Sequence, residues 1–101
     1  MEDDGLSSIR EDIRKELIKH KKDHIEELTM EIKTLTTQAD LLLDESEILD
    51  GRAEQCSDRL TSNRYRQKSL RNRQKVGKIL QEVEKLCLQR KCLYEEGVYD
   101  D

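Results

Sequence analysis

His20 and His24 stand four residues apart, so on a helix both imidazoles share one face, where they could begin a metal site. The neighbouring turns supply no third ligand, and Lys21 and Lys22 would repel a cation. The pair therefore reads as two solvated histidines, and no metal or cofactor is expected. The thiols are Cys56, Cys87 and Cys92, odd in number and without CxxC spacing. That pattern fits reduced thiols in an intracellular protein better than a disulfide frame or a zinc site. None has a nearby histidine to activate it, and Cys56 reads as a small core residue. Tyr99, in "EEGVYDD", offers a phenol for modification or docking, but ordinary terminal disorder is the preferred reading. Catalysis needs groups converging in a concave, water-excluding site, and these residues imply none. The expectation is a protein that is not an enzyme.

The remaining chemistry is basic. Arg59, Arg64, Arg66, Lys68, Arg71, Arg73, Lys75 and Lys78 are eight bases with no acid between them. In "NRYRQKSLRNRQK", Asn63 and Arg71 reproduce an Asn-x7-Arg spacing, and Arg64 and Arg73 add to the basic character. The stretch resembles the basic region of basic-leucine-zipper proteins over about thirteen residues. That resemblance implies a helix entering the major groove beside a dimerising zipper. Arg66 and Gln67 are bulky where that family has small residues, and the zipper that follows is off by one and carries Cys87. A solvated or partner-facing basic face is the preferred reading, with nonspecific phosphate binding as the alternative. Ile48, Leu49, Asp50, Glu54 and Gln55 are also similar to the central layers of Golgi-type SNARE helices. Here Gln55 falls beside the core frame, Arg52 stands where an apolar layer belongs, and no membrane anchor follows.

Helices must carry these residues. The chain has 101 residues, no Pro, Trp or Phe, and 42% charged against 34% hydrophobic residues. A chain this short has difficulty burying a globular core, and three Tyr are its only aromatics. Charge-rich, Pro-free composition with Leu, Ile, Glu, Lys and Arg is that of long helices burying one stripe. No apolar run reaches membrane-spanning length and no segment resembles a signal peptide. The expected localisation is cytoplasmic, with the nucleus as a second option.

Ser8 and Glu11 match a capping box, so a helix is expected from Ser8, after a mobile acidic lead-in over residues 1–7. Residues 8–24 read as an amphipathic start (Ile9, Ile13, Leu17) with a polar interruption, "KHKKDH". From residue 25 to 96 the pattern is that of a coiled coil. Ile25, Leu28, Ile32, Leu35, Ala39, Leu42, Ser46, Leu49, Ala53, Cys56 and Leu60 follow alternating 3 and 4 spacing, continued by Asn63, Gln67 and Leu70. The phase then slips by one, and Val76, Leu80, Val83 and Cys87 complete the predicted seam. Gly97 reads as a helix stop before an acidic tail, 97–101.

Asp50-Gly51 is the obvious place to turn. Yet heptad phase is kept on both sides of it, and a helix interior tolerates Gly at roughly 1 kcal/mol. The favoured expectation is an all-α rod, roughly 130 Å long from Ser8 to Glu96 at 1.5 Å per residue, forming a dimer or hetero-assembly. A two-helix antiparallel hairpin turning at Asp50-Gly51 is the alternative. Charge is polarised behind the net −4, with ten acids against Lys33 and Arg52 between Glu26 and Asp58, then the basic run. Antiparallel pairing sets acid against base. Pairing residues whose numbers sum to 109 then places polar Ser46 opposite polar Asn63. The functional class expected is a structural or adaptor subunit that associates with itself or with other coiled-coil proteins. Nucleic-acid binding by the basic helix is the alternative.

Overall fold

The computed structural model describes residues 2–96, with side chains from Ser8 onward. The fold is all-α: helix α1 (Glu2–Gln55) and helix α2 (Arg59–Glu95) pack antiparallel as one extended hairpin. Its extents are 87 × 16 × 15 Å. The single continuous rod is thus corrected to a hairpin, and the turn is not where the alternative put it. Gly51 lies inside α1, while the chain reverses over Cys56–Asp58.

Asp58 explains that position. Its backbone is extended, with φ −81° and ψ 116°, and its carboxylate accepts from the Leu60 amide (3.3 Å) and the Thr61 hydroxyl. Its carbonyl accepts the Ser62 amide at 2.9 Å. These bonds satisfy donors that a helix start leaves free, which is what favours Asp as an N-cap. Gly51 meets none of these demands. A Cβ built there finds nothing within 4 Å, and its φ is not in the left-handed region. Ser8 likewise does not begin a helix, since α1 already runs from Glu2 through the residues assigned to a lead-in. Gly97 and the tail with Tyr99 lie outside the described residues.

On α1 the seam lies on the predicted line. Ile25, Leu28, Ala39, Ser46, Leu49 and Ala53 are buried, and Ile32, Leu35, Leu42 and Cys56 are half-buried. On α2 the inner face is Ser62, Tyr65, Ser69, Asn72, Val76, Ile79, Val83, Leu86, Arg90 and Leu93, all buried or half-buried and again spaced 3 and 4. Val76 and Val83 belong to the predicted seam, and Cys87 is half-buried beside Leu86. Leu60, Asn63, Leu70 and Leu80 do not join it. They are exposed, Leu60 at 61% and Leu70 at 56%. The reversal at 56–58 resets the phase, and the frame carried across it points outward on α2.

The register follows from the turn. Ser46 faces Ser69 and Ala53 faces Ser62, so paired numbers sum to 115 rather than 109. Ser46 is fully buried; its hydroxyl donates to the Leu42 carbonyl (2.9 Å), with the Ser69 carbonyl at 3.4 Å. The Ser69 hydroxyl donates back to the Ser46 carbonyl at 3.3 Å. Two small hydroxyl residues therefore bring the helices close and satisfy each other across the seam. The turn-proximal half of the seam mixes Leu42, Leu49 and Tyr65 with small or polar Ser46, Ala53, Ser62, Ser69 and Asn72, and the far half, Ile25 to Leu35 against Ile79 to Leu93, is mostly apolar.

Candidate protein-association surface

Charge complementarity is used within the chain. The acidic part of α1 lies along the basic part of α2, and two ion pairs bridge them on opposite sides of the seam. Arg73 donates to Asp50 at 2.8 Å, and Lys68 lies 3.5 Å from Glu45. At the open end Lys21 pairs with Glu96 at 3.1 Å, and Arg90 donates to the Thr29 hydroxyl at 3.2 Å. The Ser69 hydroxyl and the Arg73 guanidinium hold the Asp50 carboxyl below its ordinary value of 3.8. Thr61 and the Leu60 amide do the same for Asp58. These ion pairs sit at the surface, where a single pair contributes little. Their service is to fix which way the helices run.

Of the predicted basic face, then, Lys68 and Arg73 are used by the hairpin itself. Arg59, Arg64, Arg66, Arg71, Lys75 and Lys78 are exposed. Arg64, Lys68, Arg71, Lys75 and Lys78 follow 4-3-4-3 spacing, and Lys85 continues the line one heptad later, so they form a row along one edge of α2. Lys75 and Lys78 stand beside Gln38, Leu41, Leu42 and Ile79 in an open groove of about 580 Å³. Leu41 and Ile48, one heptad apart on α1, are exposed on the same side.

A second surface is the outer face of α2. Leu60, Asn63, Gln67, Leu70, Gln74, Gly77 and Gln81 continue the 3-4 spacing there without one charge, in a chain where 42% of residues are charged. Leu60 and Leu70 are more than half exposed on it. Leu60, Asn63 and Leu70 of this stripe belong to the seam expected from the heptad spacing. Its spacing is real, but the hairpin buries the opposite face of the helix instead.

The third surface is the open end. The described residues end beside Lys21, where Glu96 pairs, so α1 before that level overhangs the described part of α2. Ile9, Ile13 and Leu17 are 56%, 53% and 57% exposed on this overhang. His20 and His24 are exposed as well, and among the described residues no three His, Cys, Asp or Glu gather as a metal-ligand set. Cys92 is exposed, and the three cysteines are free thiols. Among the described residues no helix is long and apolar enough to cross a membrane. The chain matches no protein-family model, no curated protein and no solved structure.

Proposed function

We propose that this chain is a non-enzymatic structural or adaptor subunit, whose work is to associate with other helices in a larger intracellular assembly. One observation carries the reading: two helices bury one seam, yet Leu41, Ile48, Leu60, Leu70, Leu80 and Leu88 stay more than half exposed. A two-layer hairpin has no further interior to offer them. Exposed apolar side chains recurring along helices, as Leu41 and Ile48 do one heptad apart, are what a third or fourth helix covers. Trafficking tethers, cytoskeletal or ciliary complexes and kinetochore-type assemblies use such subunits, by analogy. The test is affinity capture of the tagged chain with mass spectrometry, comparing wild type with Leu41→Ser/Ile48→Ser. Coiled-coil proteins retained by the wild type and lost by the variant support the reading. Equal recovery with both removes the Leu41–Ile48 groove from the reading, and a wild type that retains no coiled-coil protein sinks it.

The basic row on α2 favours a second reading, nucleic-acid binding. It predicts affinity for duplex that falls steeply with salt, since each neutralised phosphate releases counterions. The exposed leucines beside that row weigh toward a protein partner. Titration with duplex DNA at two salt concentrations separates the two readings.

A further inference from the structure

We infer that the overhanging start of α1 is a self-association element, pairing parallel and in register with the same segment of a second copy. The inference rests on the association reading above and names one partner for it, another molecule of this chain.

Three observations carry it. The first is that no described residue of the second helix covers the segment: Glu96, the last described residue, already meets Lys21 at 3.1 Å. Ile9, Ile13 and Leu17, each more than half exposed, lie beyond that point. The second is their alignment. At about 100° per residue, i, i+4 and i+8 fall within one narrow stripe, the geometry of a helix–helix contact. Farther along the same line come His20 and His24, then Glu27 and Glu31, which end any apolar contact. The contact is therefore confined to the overhang.

The third is how the charges flank the stripe. On one side of it lie Arg10 and Arg14; on the other lie Asp12 and Glu16. Within one helix this stacks like charges four residues apart, a mildly unfavourable arrangement. In an antiparallel pair, equivalent flanks meet. This hairpin shows it, joining Glu45 to Lys68 on one side of its seam and Asp50 to Arg73 on the other. An antiparallel pair of overhangs would thus set base against base and acid against acid. In a parallel pair the flanks cross, so Arg10 and Arg14 of each copy meet Asp12 and Glu16 of the other. A two-fold axis along the helices satisfies both sides at once, which is the self-complementarity that an isologous contact requires. The hairpin seam, carried back one heptad from Ile25 and Leu28, passes through Ile18 and Lys21, beside the stripe rather than on it. Three apolar residues per copy among the described side chains make a contact below the roughly 1,200 Å² of stable complexes, so dissociation constants on the order of 100 µM are expected.

The test is sedimentation of the full chain across about 10 µM to 1 mM, the range that brackets such an affinity. Circular dichroism of every variant confirms that the hairpin is intact. Ile13→Asp should leave only monomer. Arg10→Glu/Arg14→Glu and Asp12→Arg/Glu16→Arg should each lose self-association about tenfold, and mixing the two variants should restore a dimer. For orientation, Ile9→Cys and Leu17→Cys are made separately with the native cysteines replaced, then mixed and oxidised. Disulfides joining like positions support the parallel pair. Crossed 9–17 disulfides overturn it, as does a monomer at every concentration. A dimer indifferent to Ile13→Asp also overturns it while leaving the association reading standing on another surface.

Discussion

Asn72 is the residue most at odds with its surroundings. It is buried in the α2 seam, and its side-chain Nδ2 has no hydrogen-bond partner. An unsatisfied buried amide costs about 1–3 kcal/mol. Asn72→Leu should therefore raise stability by about 1–2 kcal/mol in urea denaturation. Unchanged or lowered stability would show that the amide is satisfied. Gly51 gives a second test at this scale. It is helical, and a Cβ there meets open space, so Gly51→Ala should stabilise by about 0.5–1 kcal/mol. A turn at Asp50-Gly51 would give the opposite sign. Asp50 and Asp58 set the acid limb. Both carboxyls are held below 3.8, so their contribution is complete above that pH and is lost as pH falls through the lowered values. The midpoint of thermal unfolding should fall with acidification below about pH 4. Asp58→Asn should flatten that dependence, and a variant with the wild-type slope would remove Asp58 from the account.

At the scale of elements, the sequence showed α1 clearly and α2 poorly, for a physical reason. Ile25 to Ala53 are mostly branched or aliphatic residues at strict spacing, and the structure buries or half-buries every one. The inner face of α2 begins instead with Ser62, Tyr65, Ser69 and Asn72, which no hydrophobic pattern singles out. The outward Leu60 and Leu70 compete with them and continue the old phase by coincidence. Ile79, Leu86 and Leu93, one heptad apart, did carry the signal. Taken with Val76 and Val83, they give the true frame. The turn was also legible: Asp58 before "RLT" is an N-cap pattern, but Asp50-Gly51 had the more familiar turn composition. Heptad phase alone does not distinguish a rod from a hairpin whose second helix buries a different stripe. The Ser46–Ser69 pair makes the element-scale prediction. Both residues are nearly solvent-free, and a larger side chain would force the helices apart. Ser46→Leu should destabilise by about 1–3 kcal/mol through overpacking. If Ser46→Leu instead stabilised the hairpin, the close approach at this layer would be wrong.

The whole molecule is a narrow body with one buried seam and several uncovered ones, so its folding and its association can be separated. In a single-core protein, removing a leucine damages both. Here Leu60 and Leu70 stand outside the seam and are more than half exposed. Exposed substitutions away from special features usually change stability by no more than about 0.5 kcal/mol. Leu60→Gln/Leu70→Gln should accordingly leave the unfolding midpoint and the shape nearly unchanged. Dilute scattering should give a radius of gyration near 23.6 Å for both wild type and variant. A continuous rod of roughly 130 Å would give a clearly larger value. The same variant keeps the outer face of α2 uncharged and removes only its apolar content. If that face covers a partner helix, capture of partners by the variant should fall at least tenfold while the fold persists. Loss of helicity would return the two leucines to the core. Intact helicity with undiminished capture would leave the stripe a solvated face and move association to the groove at Leu41 and Ile48 or to the overhang.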